Sequence, residues 1–169
     1  MFLGAMILGT CVPVLASMPR LRVLDPSVLE VLAAGYQASA TIRDLVDRLE
    51  RTDVIVHLER QAIPINGVDG TLRFVGRAGG FRYVRIAINT SRLTHAMALL
   101  AHELQHALEV ADDPKAVDEA TFEVLYRRIG QECRGRAVPR RFDTNAARAV
   151  TQQVLREVRG ARRRTSRAP

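Results

Sequence analysis

The sequence predicts an α+β domain: a three-stranded, antiparallel-type sheet packed on one long helix, with further helices around it. Three observations carry this expectation. Three alternating, β-branched segments lie between residues 54 and 89. A long helical run containing His102, Glu103 and His106 in the order H-E-x-x-H follows at once. Apolar residues at helical spacing flank this block on both sides.

The elements follow in order. "DPSVLEVLAAGYQASATIRDLVDRLERTD" has Asp25 or Ser27 as a cap and Pro26 for a first turn. Val28, Leu29, Val31, Leu32, Ile42, Leu45, Val46 and Leu49 give one helix, or two broken near Gly35. "DVIVHLERQ" alternates and reads as a strand. "GTLRFVGRAGGFRYVRIAINT" reads as two strands around Arg77–Ala78–Gly79–Gly80, a hairpin signal. Leu72 and Phe74 share a face, and Val84, Ile86 and Ile88 form the set that should meet the core. Thr90 or Ser91 caps the motif helix, which runs to about Ala111, with Leu93, Met97, Leu100, Leu104 and Leu108 as its apolar stripe. Asp118 to Gly130 is a further helix with Phe122, Leu125, Tyr126 and Ile129 inward. After an irregular connector, a last helix begins near Asp143–Thr144 and runs to about Val158.

With 169 residues, the chain is long enough to bury one core without staples. Residues 1–18 are apolar with no charged side chain and read as a signal peptide or N-terminal anchor, broken by Pro13. Residues 19–158 form the folded domain, and 159–169 read as a basic, disordered tail. This leader implies a secreted, periplasmic or envelope location, with membrane association at the N-terminus if the segment is retained. Cys133 would then be the one cysteine left, so no internal disulfide framework is expected.

The net charge is +7, and Lys115 is the only lysine. Arginines crowd Arg134, Arg136, Arg140 and Arg141, and again Arg159, Arg162, Arg163, Arg164 and Arg167. No aromatic residue interleaves with those of the tail, which argues against nucleic acid as a partner.

"LLAHELQHALEV" carries the chemistry. Histidines at i and i+4 lie one helical turn apart, so two imidazoles can converge on one ion at about 2.0–2.1 Å each. The glutamate between them is offset around the helix, able to reach a water beside the ion without ligating it. Histidine is scarce, with four in the chain, which weighs against a chance arrangement.

This stretch resembles the active-site helix of the zincin metallopeptidases. The whole chain is also similar to small secreted bacterial proteins with this motif. The resemblance covers roughly Val54 to Val158, with the five-residue core as its specific part, and implies His102 and His106 as zinc ligands and Glu103 as general base. It also implies that an extended peptide pairs with the edge strand over that helix. No histidine follows His106, so the third ligand is expected to be a carboxylate. Asp143, with Ala146 three residues on, resembles the gluzincin-like arrangement, although aspartate replaces glutamate. Glu119 ranks second. Glu109 ranks third, because a straight helix holds its carboxylate past the ion.

His95, one heptad before His102, reads as a polar residue at the helix start, and His57 as structural. Tyr83 and Tyr126 are oxyanion donors or, more simply, packing residues. The expected function is a zinc-dependent hydrolase, a peptidase acting on peptide or protein substrates. The alternative is a non-catalytic envelope protein that keeps the scaffold to bind a metal or a partner.

Overall fold

In a computed structural model, the described residues are 18–61, 69–132 and 142–165. The leader, both cysteines and the arginine cluster at 134–141 lie outside them. Strands β1 (Leu21–Val23), β2 (Val54–Arg60), β3 (Gly70–Ala78) and β4 (Phe81–Ile88) form one sheet in the order β1-β2-β4-β3. The helices are α1 (Pro26–Ala38), α2 (Ala40–Leu49), α3 (Leu93–Asp112), α4 (Glu119–Ile129) and α5 (Asn145–Thr165). A two-residue pair, β5 (Gln131–Glu132) with β6 (Phe142–Asp143), links α4 to α5. No described helix is long and apolar enough to cross a membrane.

The α+β class agrees with the sequence, but the sheet does not. It has four strands and is mixed: β1–β2 and β2–β4 are parallel, and only β3–β4 is antiparallel. The extra strand, β1, is three residues long and leaves no alternation to detect. The parallel pairing arises because α1 and α2 form the crossover between β1 and β2. The hairpin turns at Gly79 and Gly80, both with positive φ (57° and 80°). It places β4 centrally and β3 at the edge. That order suits the side chains. Val84, Ile86 and Ile88 are fully buried on β4, whereas β3 carries Arg73, Arg77 and a bulge between Phe74 and Gly76.

The first helical run breaks at Ser39, not at Gly35. Ser39 caps α2 through Ile42 N–H. Gly35 sits inside α1, where a Cβ would lie 2.7 Å from Ile42 Cδ1, so its small size permits the helices' close approach. The cap expected for α3 at Thr90 or Ser91 is absent: Arg92 holds the cap position and no side chain caps it. Leu93 is 43% exposed and drops out of the α3 stripe. Ile129 of α4 is likewise 40% exposed. The last helix runs past Val158 to Thr165, so helix occupies much of the segment read as a disordered tail.

Arg82 is the polar group on the core face of β4, at 4% exposure. Its guanidinium donates to both Asp53 carboxylate oxygens at 2.6 and 2.8 Å. It also donates to the carbonyls of Val110, Ala111 and Asp113 at 2.6–3.1 Å, where α3 ends. They lie at the negative end of the helix dipole, where Val110 O and Asp113 O also accept from the N–H groups of Asp113 and Ala116 at 3.3 and 3.1 Å. One buried cation thus fixes α3 to the sheet. Arg82→Met should lower unfolding free energy by about 3–5 kcal/mol in urea titration, because it removes the buried donors that join the end of α3 to Asp53 and the sheet. Asp53→Asn should cost much less, since Asp53 is half exposed.

A second tie joins α5 to α2. Glu157 accepts hydrogen bonds from Thr41 N–H at 3.2 Å, Thr41 Oγ1 at 2.8 Å and Gln153 Nε2 at 2.8 Å, and from Ser39 Oγ. Burial alone would raise its pKa, but the bonds from Ser39, Gln153 and Thr41 outweigh burial and hold it at about 2. The folded pKa lies below the ordinary 4.5. The stabilisation is therefore complete above that value and lost as pH falls towards about 2. Glu157→Gln should destabilise the chain at neutral pH by on the order of 1 kcal/mol, allowing for solvent screening. Melting curves of the two proteins should converge as pH drops through that window.

Candidate metal centre

α3 presents His102 and His106 on its side towards α5. The two helices run antiparallel, since His102 meets Thr151 and Glu109 meets Thr144. The apolar stripe and the histidines suggest a helix with a core side and a metal side. α5 covers the metal side, and α3 is buried nearly all round. Glu103 and His106 are each only 5% exposed.

The imidazole Nε2 atoms face one another at 3.2 Å. The Nδ1 atoms point outward to fixed partners. Thr151 Oγ1 donates to Ala147 O at 2.9 Å, so it accepts from His102 Nδ1–H at 3.0 Å. His106 Nδ1–H donates to Glu109 Oε2 at 2.7 Å. Both bonds put the ring proton on Nδ1 and leave the Nε2 lone pair available.

Asp143 completes the cluster. His102, His106 and Asp143 each offer a ligand atom, and these atoms lie within 4.8 Å of one another. Asp143 Oδ1 is 3.5 Å from His102 Nε2, while Oδ2 accepts from Arg148 Nε at 2.8 Å. Oδ1 is buried and has no hydrogen-bond partner. Two donors held at about 2.0–2.1 Å by a tetrahedral ion would be about 3.4 Å apart. The His102–His106 and His102–Asp143 separations, 3.2 and 3.5 Å, bracket that figure, and the orphaned oxygen fits a cation's donor set.

Local structure explains why Asp143 arrives there. Thr144 accepts from Ala147 N–H at 3.1 Å as α5 begins, and its hydroxyl donates to Glu109 Oε1 at 2.6 Å. β6 pairs Asp143 with Gln131 beside Gly130. A Cβ on Gly130 would lie 2.7 Å from Tyr126 O and 3.1 Å from Phe142 Cβ, so glycine permits β6 to seat. Ala146, the small residue expected to pack there, is exposed, and Ala147 is buried instead.

The other carboxylates separate clearly. Glu119 is exposed in the first turn of α4 and does not join the cluster. Glu109 also lies outside the donor set. Its two oxygens orient His106 and hold Thr144, a role the sequence left open.

Glu103 projects from α3 towards β3. A Cβ on Gly70 would lie 2.7 Å from Glu103 Oε1 and 2.6 Å from Leu99 Cδ1, so the start of the edge strand rests on this carboxylate. Tyr126 donates its hydroxyl to His106 O at 2.9 Å and sets its ring edge-on to the imidazole at 5.3 Å. Burial, then the charges of Glu109 and Glu103, push its pKa well above the usual 10, so it remains a donor. The hydroxyl is committed to the backbone. Tyr83 lies on the opposite face of the sheet. His95 is exposed and pairs with Asp69 at 3.4 Å.

Electrostatics separate the two histidines. His102 is lowered, first by burial and then by neighbouring His106. For His106 burial acts downward, but the hydrogen bond to Glu109 and the charges of Glu103, Glu109 and Asp143 outweigh it and raise the pKa. Negative charge therefore concentrates around the paired nitrogens, as a cation would require.

Comparison with known proteins finds no matching family model, no similar curated protein and no similar solved structure.

Proposed function

We propose that the chain is a zinc-dependent hydrolase, a peptidase in which Glu103 serves as general base. The observation that carries this reading is the buried, unpartnered Asp143 Oδ1 facing the two Nε2 atoms of His102 and His106. Imidazole and carboxylate donors suit zinc, and three of them leave a fourth position for water or substrate. The resemblance of the motif helix to the zincins supports the same reading.

Zinc bound there would polarise a water and the scissile carbonyl. The chain's own residues do the rest. Glu103, buried and held against the backbone of Gly70, accepts the proton of the attacking water and returns it to the leaving amine. Glu109 and Thr151 keep the imidazoles in the tautomer that leaves Nε2 unprotonated. β3 pairs only with β4 among the described residues, so its other edge can take an extended peptide as an added strand. That edge begins at Gly70, directly over Glu103.

The donor set makes a graded expectation for affinity. Purified chain should bind about one zinc, as a single site of this kind would. Glu109→Gln should weaken binding by about 10–100-fold, the usual effect of losing an outer hydrogen-bond partner. Asp143→Ala should weaken it more, and Glu119→Gln not at all. Competition with a fluorescent chelator reads all three. Undiminished affinity in Asp143→Ala would remove Asp143 from the ligand set.

Catalysis is tested separately from binding. Glu103→Gln keeps the shape of the side chain but cannot accept the proton. It should retain zinc and lose at least about 100-fold in turnover of any peptide the wild type cleaves. A peptide-library digest read by mass spectrometry makes the comparison. A zinc-loaded wild type that cleaves nothing would favour the non-catalytic, metal-binding scaffold instead.

A further inference from the structure

The sheet face turned away from the core carries a transverse row of basic side chains. Arg22 on β1 lies beside His57 on β2, His57 beside Arg85 on β4, and Arg85 beside Arg73 on β3. Neighbouring strands are about 4.8 Å apart, so the row spans about 14 Å. Arg22, Arg73 and Arg85 are exposed and His57 is half-buried. Arg20 adds a further cation near the same edge, its guanidinium 4.3 Å from the Phe81 ring centre. Among the described residues, carboxylates also lie nearby: Glu59 is 3.8 Å from Arg85, and Glu50 accepts from the Arg20 N–H at 3.2 Å.

Packing does not explain this row. Like charges set directly opposite each other weaken a sheet. The charged form of His57 is disfavoured by burial and then by Arg22 and Arg85. The residues one step along each strand, Val56, Leu58, Val84 and Ile86, are fully buried, and on the outer side Ile55 of β2 is also buried beside Tyr83, so the exposed cations are Arg22, Arg73 and Arg85.

We propose that this face docks the protein on an anionic lipid surface. Its charges are spread across a broad sheet, not lined up in a groove, which matches a planar partner. The faces of Phe81 and Tyr83 are taken by Arg20 and Arg22, so they offer no platform for stacking bases. β1, which carries Arg22, begins within a few residues of the apolar N-terminal segment. Docked this way, the protein holds its sheet against the headgroups, with α3, α5 and the metal centre on the far side.

The test is flotation of the purified full chain with phosphatidylcholine vesicles, with and without phosphatidylglycerol. Binding should require the anionic lipid and weaken with added salt. Each arginine near such a surface contributes about 5-fold. The triple variant Arg22→Gln, Arg73→Gln, Arg85→Gln should therefore bind on the order of 100-fold more weakly. The double variant Arg92→Gln, Arg156→Gln, altered away from the sheet, should bind like wild type, and circular dichroism confirms that both variants fold. Equal binding by the triple variant, or equal binding to neutral vesicles, overturns the proposal. So does tight binding of a thymidine oligonucleotide with no binding to anionic vesicles, which would assign the face to nucleic acid.

Discussion

The position of α3 relative to the sheet rests on one buried guanidinium. Arg82 takes the loose end of that helix and fastens it to β4 and, through Asp53, to the turn before β2. Everything chemical in the molecule is measured from this anchor. If α3 slid or rotated, Glu103 would leave the backbone of Gly70, and the histidines would leave Thr151 and Asp143. A helix buried on nearly every side cannot be adjusted by solvent, so its end must be satisfied from within. Arginine alone among side chains has enough donors, in a rigid enough fork, to satisfy several carbonyls and a carboxylate together.

Glu109 does for the two halves of the site what Arg82 does for helix and sheet. One oxygen orients His106 and the other holds Thr144, the residue next to Asp143. His106, Glu109 and Thr144 are thus one hydrogen-bonded chain that ends next to Asp143. Tyr126 extends it by tying the backbone of His106 to α4, while Phe122 packs tilted against Tyr126 with ring centres 4.9 Å apart. The same carboxylates that position the imidazoles supply the negative potential around them, so geometry and charge have common sources.

Much of this was legible in the sequence because it is local. The alternation in β2 and β4, the glycine pair of the hairpin and the i, i+4 histidines all express themselves within a few residues. What was not legible depends on distant partners. β1 is too short to show a period, and its parallel pairing exists only once α1 and α2 have crossed the sheet. Arg82 could be placed on the inward face of its strand, but its role depends on where α3 ends, nearly thirty residues on. Thr144 and Thr151 are two ordinary hydroxyls until α5 lies along α3. Asp143 could be ranked first from its place at the start of a later helix, but nothing in the residues excluded Glu119. In the structure Asp143 lies beside the two histidines, whereas Glu119 is exposed and apart from them.

The antiparallel docking of α5 on α3 also fixes when the centre can exist. His102 and His106 are neighbours in the chain, but Asp143, Thr144 and Thr151 belong to its last helical segment. A nascent chain therefore carries the two histidines long before it carries Asp143 or the hydroxyl partners. The cluster comes together only when α5 has been synthesised and seated against α3. A site built from one contiguous stretch would have no such delay.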